Sequence, residues 1–126
     1  MQTKHLLPIT ALLLALSLPT AAMAHAEHGQ PQFGGVVAEA GEAQFEIVSK
    51  DGKLVVHVTN HGAPLDTVGA SGKLTVLTGT SKQDIQLKPA GGNRLEGAGS
   101  YAAGAKLLLQ VQLPGKKPLQ ARAVAQ

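Results

Sequence analysis

The 126-residue chain contains no cysteine and no tryptophan. It can form no disulfide, and thiolate nucleophiles and thiol redox chemistry are excluded. Aromatic side chains are nearly absent: Phe33, Phe45 and Tyr101 are the whole set, too few to build a stacking platform for unpaired bases. The two methionines, Met1 and Met23, fall within the first 24 residues. Past that point there is no soft sulfur ligand, which argues against a Cu(I) carrier. Charge is modest, with 11 Lys+Arg against 8 Asp+Glu, and the basic residues are scattered along the chain, so nucleic acid is not an expected partner. There is no Gly-x-Ser-x-Gly elbow. Gly69-Ala70-Ser71-Gly72 and Gly91-Gly92 lack the Lys-Ser pair of a phosphate loop and read as turns. The carboxylates Glu39, Glu42, Glu46 and Asp51 fall on separate strand faces and turns, with no general-acid pair among them. An enzyme is not expected.

What the chain does have begins with an apolar run from Leu6 to Leu18 after Lys4 and His5, followed by Ala22-Met23-Ala24. A short apolar run closed by small-x-small is the pattern of a cleaved signal peptide, and it is too short to span a bilayer. Residues 1–24 are therefore expected to be removed, leaving an exported, periplasmic protein that starts at His25 with no transmembrane segment. About 100 residues then remain, one domain that buries only about two-thirds of its unfolded surface.

Residues 25–33, polar and interrupted by Gly29 and Pro31, read as a flexible lead-in. From Gly34 onward the apolar residues alternate with period two, and nowhere does a 3.6-residue period persist. Lys53-Leu54-Val55-Val56-His57-Val58-Thr59-Asn60-His61 is the strongest strand signal, with Leu54, Val56 and Val58 on its inner face. Ala43, Phe45 and Ile47 alternate with Gln44 and Glu46 as a second strand, joined to it through Lys50-Asp51-Gly52-Lys53, whose Asp-Gly marks a tight hairpin. Further strands are expected at Val36–Ala38, around Leu74–Thr78, Ile85–Leu87, Arg94–Ala98, Leu107–Leu113 and Leu119–Ala123, with a short edge piece at Leu65–Val68. Leu107, Leu109 and Val111 should face inward. Seven to nine short strands with regular turn signals predict an all-β, antiparallel, immunoglobulin-like β-sandwich over residues 34–126. Tyr101 is expected either to form a corner, its hydroxyl bonded back to main chain, or to plug one end of the sandwich.

Two candidate metal sites emerge from the histidines. After cleavage His25 would offer an α-amine and an imidazole, a chelating pair for Cu(II), Ni(II) or Zn(II), with Glu27 and His28 placed to complete it. His57 and His61 form the second pair. Four residues of continuous strand separate side chains by about 13 Å, so these two can share one metal only if the chain turns near Asn60, and the tail pair His25 and His28 is favoured. A His start is also shared with copper monooxygenases, which makes a copper-dependent oxidase a distant alternative.

Gly34-Gly35-Val36-Val37, Phe45-Glu46-Ile47-Val48, Leu54-Val55-Val56-His57-Val58, Asn60-His61-Gly62-Ala63-Pro64 and Pro89-Ala90-Gly91-Gly92-Asn93-Arg94-Leu95 together resemble the small periplasmic β-domain at the N-terminus of heavy-metal efflux pump adaptor proteins, also found as free-standing exported proteins. The resemblance implies a β-domain serving metal efflux or resistance, with a divalent metal and an efflux component as partners. The chain departs from that pattern at Phe33, where relatives carry a histidine before Gly-Gly, at His57, where they carry a tyrosine, and at Asn60, where they carry an aspartate. The other reading is a structural or interaction domain that docks on an envelope protein through a sheet edge and binds no metal.

Overall fold

The computed structural model describes residues 29–126, all of it strand, turn and loop. In chain order the strands are β1 (Val36–Ala40), β2 (Ala43–Lys50), β3 (Lys53–Asn60), β4 (Ala63–Pro64), β5 (Ser71–Thr78), β6 (Ser81–Pro89), β7 (Arg94–Ala98), β8 (Lys106–Gln112) and β9 (Leu119–Val124). Every pairing is antiparallel, and the order across the fold is β1-β2-β3-β7-β6-β5-β8-β9, with β4 beside β3. The all-β antiparallel architecture expected from the alternation is the one the chain adopts.

Turn chemistry sets the local register. Asp51 and Gly52 both take positive φ, 54° and 75°, the two-residue turn whose twist suits a hairpin. Lys50 is thereby placed opposite Lys53. His61 and Gly62 repeat that geometry at φ 49° and 81°, bringing Ala63 opposite Asn60. The edge piece expected at 65–68 therefore sits earlier, at Ala63–Pro64, because the tight turn folds the chain straight back onto β3.

The second edge of β3 is shared. Strand β7 covers residues 53–57 and β4 covers residues 59–60. Asn93 fills the gap: the Val58 N–H donates to the Asn93 carbonyl at 2.9 Å, and the Asn93 side-chain amide donates to the Val58 carbonyl at 2.9 Å. The fully buried Thr67 fixes this corner, its hydroxyl donating to the Arg94 carbonyl at 2.8 Å.

Strand β6 joins the two layers. Ser81 to Leu87 pair with β5, whereas Lys88 and Pro89 pair with β7. On the far side β9 packs against β1, so the layers nearly close on each other. Between them lies one core: Phe45, Ile47, Leu54, Val56, Val58 and Leu95 from one layer meet Leu74, Val76, Ile85, Leu87, Leu107, Leu109 and Val111 from the other. All six side chains expected to face inward on β3 and β8 are in it. Among the described residues the buried hydrophobic side chains run from Ala38 to Ala125. Tyr101 packs against that core and its hydroxyl donates to the Ile47 carbonyl at 2.8 Å. It bonds to main chain, but to β2 rather than to its own neighbourhood. Among the described residues no helix is long and apolar enough to cross a membrane.

Candidate functional site

The outer face of β1-β2-β3-β7 carries the residues with chemistry. Because the Asp51-Gly52 turn sets Lys50 against Lys53, four steps back along each strand bring Glu46 opposite His57. Both point away from the core, yet Glu46 is only 7% exposed. A carboxylate so enclosed needs partners, and it has three. The main-chain N–H groups of Gln32, Phe33 and Gly35 donate to it at 2.6, 2.7 and 2.9 Å. The segment 32–35 is thus pinned across the sheet.

Pinning that segment lays Phe33 on His57. The rings stack with centroids 3.9 Å apart and planes 12° from parallel. Burial under the phenyl ring lowers the His57 pKa, the Arg94 guanidinium lowers it further, and the Glu46 carboxylate opposes both. The net effect favours the neutral imidazole, the form that offers a lone pair to a proton or a metal. Stacking covers a ring face, while both nitrogens lie in the ring plane.

His61 stands at the first central position of the β3–β4 turn, largely exposed, with Nε2 3.8 Å from Glu42 Oε2 in the β1–β2 turn. β3 stays extended and paired through Asn60, and the chain reverses only at His61-Gly62, so the turn does not fold His61 back onto His57. His57 and His61 line one open groove of about 640 Å³, together with Gln30, Phe33, Glu46 and Asn93. The arrangement is a neutral imidazole beside a carboxylate already saturated by main-chain donors, with a second imidazole at the rim. Glu46 is therefore a structural clamp, with its oxygens committed. Among the described residues no group of three or more His, Cys, Asp or Glu side chains is placed to hold a metal. The favoured tail pair, His25 and His28, lies outside the described residues, as does Glu27.

Glu46 and Phe33 are the two site residues that alternation alone does not single out. The signal for Glu46 was present in the tight turn, since a two-residue Asp-Gly hairpin dictates its position across from His57. Nothing local marks Phe33, because it reaches His57 only through the Glu46 clamp. No family model, no curated protein and no solved structure matches this chain.

Proposed function

We propose that this chain is an exported, non-enzymatic protein that binds a divalent transition metal, Cu(II), Zn(II) or Ni(II), as an accessory to metal efflux or resistance. One observation carries the reading: Gln30 lines the same groove as His57 and His61, and Gln30 follows His28 by two residues. Two residues of chain reach at most about 7 Å and five reach about 18 Å, so His28 would have to stay near Gln30 while His25 would have the reach to meet a groove lined by two imidazoles. The lowered pKa of His57 supports the reading, because a ligand must be deprotonated. The His25 α-amine and imidazole would form the chelate, His28 would add a third nitrogen, and a groove histidine would complete the set. The efflux role rests on the resemblance of the Gly34-Gly35, Leu54–Val58 and Asn60–Pro64 motifs alone.

Calorimetric titration with Zn(II), Cu(II) and Ni(II) of the chain beginning at His25 tests this. Tight binding is expected for at least one ion, weakening as pH drops through about 6, where imidazole protonates. An extra residue ahead of His25, or His28→Ala, should weaken Cu(II) binding at least tenfold. If His57→Ala and His61→Ala abolish binding while the tail variants leave it intact, the groove alone is the site. If no ion binds, the metal reading is wrong and the docking-domain reading stands.

A further inference from the structure

Charges that look scattered along the sequence are sorted by the fold. The outer face of the β5-β6-β8-β9 layer presents Lys73, Lys82, Lys106 and Arg122, one cation from each strand, and a single acid, Asp84. The opposite face mixes Glu39, Glu46 and Glu96 with Lys50, Lys53 and Arg94. On the basic face Asp84 accepts the Thr75 hydroxyl and stands 3.9 Å from Lys82. Lys73, Lys106 and Arg122 make no ion pair among the described residues.

Aliphatic side chains are set between these cations by register. One row across the sheet reads Lys82, Leu77, Lys106, Val124, and the next row facing the same way reads Asp84, Thr75, Leu108, Arg122. Leu77 is 37% exposed and Val124 is 52% exposed. With Leu108 they wall an open groove of about 500 Å³ flanked by Lys106 and Arg122. A third row continues the face with polar groups, Gln86, Lys73, Gln110 and Gln120.

We propose that this face docks on an anionic lipid bilayer. The four cations are spread over four strands and three rows of the face, with Lys82 and Lys106 in one row, Arg122 in the next and Lys73 in the third, a spread suited to several separate phosphates. Lipid headgroups move and can gather beneath each cation, which a folded acidic protein cannot do. Leu77 and Val124 share one row at the end of the face, where their tips can enter the boundary between headgroups and acyl chains. Lys106 and Arg122 have the reach to keep their charges among the phosphates while their stems line the groove. The surface is independent of the histidine groove, which lies on the other layer.

Co-sedimentation tests it with residues 25–126, which contain every core residue described above and omit the apolar run Leu6–Leu18, which would itself favour lipid. The probes are phosphatidylcholine vesicles and vesicles in which a third of the lipid is phosphatidylglycerol. Binding is expected only to the anionic vesicles, and it should weaken as salt is raised. Each basic residue near an anionic surface contributes roughly fivefold in affinity, so Lys106→Gln with Arg122→Gln should lower binding about 25-fold. Charge reversal at both positions should lower it further. Leu77→Ser with Val124→Ser should lower it severalfold without changing the salt dependence, and Lys50→Glu on the opposite face should leave it nearly intact. All these positions are surface-facing, and an unchanged circular-dichroism spectrum checks each fold. The proposal is overturned if anionic vesicles do not sediment the protein, if Lys50→Glu costs as much as the Lys106 and Arg122 changes, or if immobilised polyglutamate retains it while vesicles do not.

Discussion

Glu46 and His57 face each other across the β2–β3 ladder and hold the same stretch of chain in two ways. The carboxylate binds its main-chain N–H groups, and the imidazole supports its one aromatic ring. The segment leading to the groove is therefore ordered by a polar clamp and an apolar stack acting together. Removing either contact should be felt by the other.

Glu46→Gln keeps the size of the side chain and removes the charge. The amide offers one acceptor oxygen to three donors and turns its own NH₂ toward at least one of them. Hydrogen bonds to a charged group contribute about 1.5–3 kcal/mol, so a loss of that order or less is expected in chemical denaturation. The His57 ring resonances should also shift as Phe33 is released. A variant with unchanged stability and unchanged His57 shifts would show that the clamp does not order the segment.

His57 gives the fold a pH dependence whose sign follows from the lowered pKa. The unfolded chain takes up its proton near pH 6.5, while the folded chain resists it until lower pH. Over that window the unfolded state binds more protons, so stability falls as pH drops through about 6.5 and levels off below the folded pKa. An NMR titration of the ring should give a midpoint below 6.5. Phe33→Ala strips away the cover and should move that midpoint upward; an unmoved midpoint would assign the shift to Arg94 instead.

Gly97 sits where β7 meets the bend of β6. A Cβ there would stand 2.5 Å from the Gln86 carbonyl oxygen and 2.9 Å from the Ile85 Cγ2. Main chain cannot step aside as a side chain does, so Gly97→Ala should force the two strands apart. The expected loss is about 1–3 kcal/mol, the usual range for overpacking, read from the urea midpoint. By contrast Gly52→Asn, at a left-handed turn position with open space around it, should cost far less.

Tyr101 ties the loop before β8 to β2 through its bond to the Ile47 carbonyl. Tyr101→Phe keeps the ring and deletes the donor, with an expected cost of about 0.5–1.5 kcal/mol. Burial raises the phenol pKa. Its contribution is fully present below the unfolded value near 10 and is lost as pH climbs through the folded pKa. An ultraviolet titration of the folded protein should place the ionisation above 10, and a midpoint at or below 10 would contradict the burial argument.

Leu54, Val56 and Val58 show how far the sequence alone reaches: alternation assigned them to the core, and Asp51-Gly52 set the register that puts Glu46 beside His57. Those features depend on neighbours a few residues apart, where side-chain direction and turn geometry are fixed by local sterics. The pairing of β3 with β7 joins Leu54 to Gly97, and no local pattern selects that partner over another strand of equal hydrophobicity. The choice is made by burial of a common core, by the Asn93 bridge, and by the bend that lets β6 serve both layers. The same long-range assembly buries Glu46 beneath 32–35, lays Phe33 on His57, and gathers Lys73, Lys82, Lys106 and Arg122 on one surface. Each of these depends on which strands lie side by side, a property of the packed whole that period-two alternation leaves undetermined.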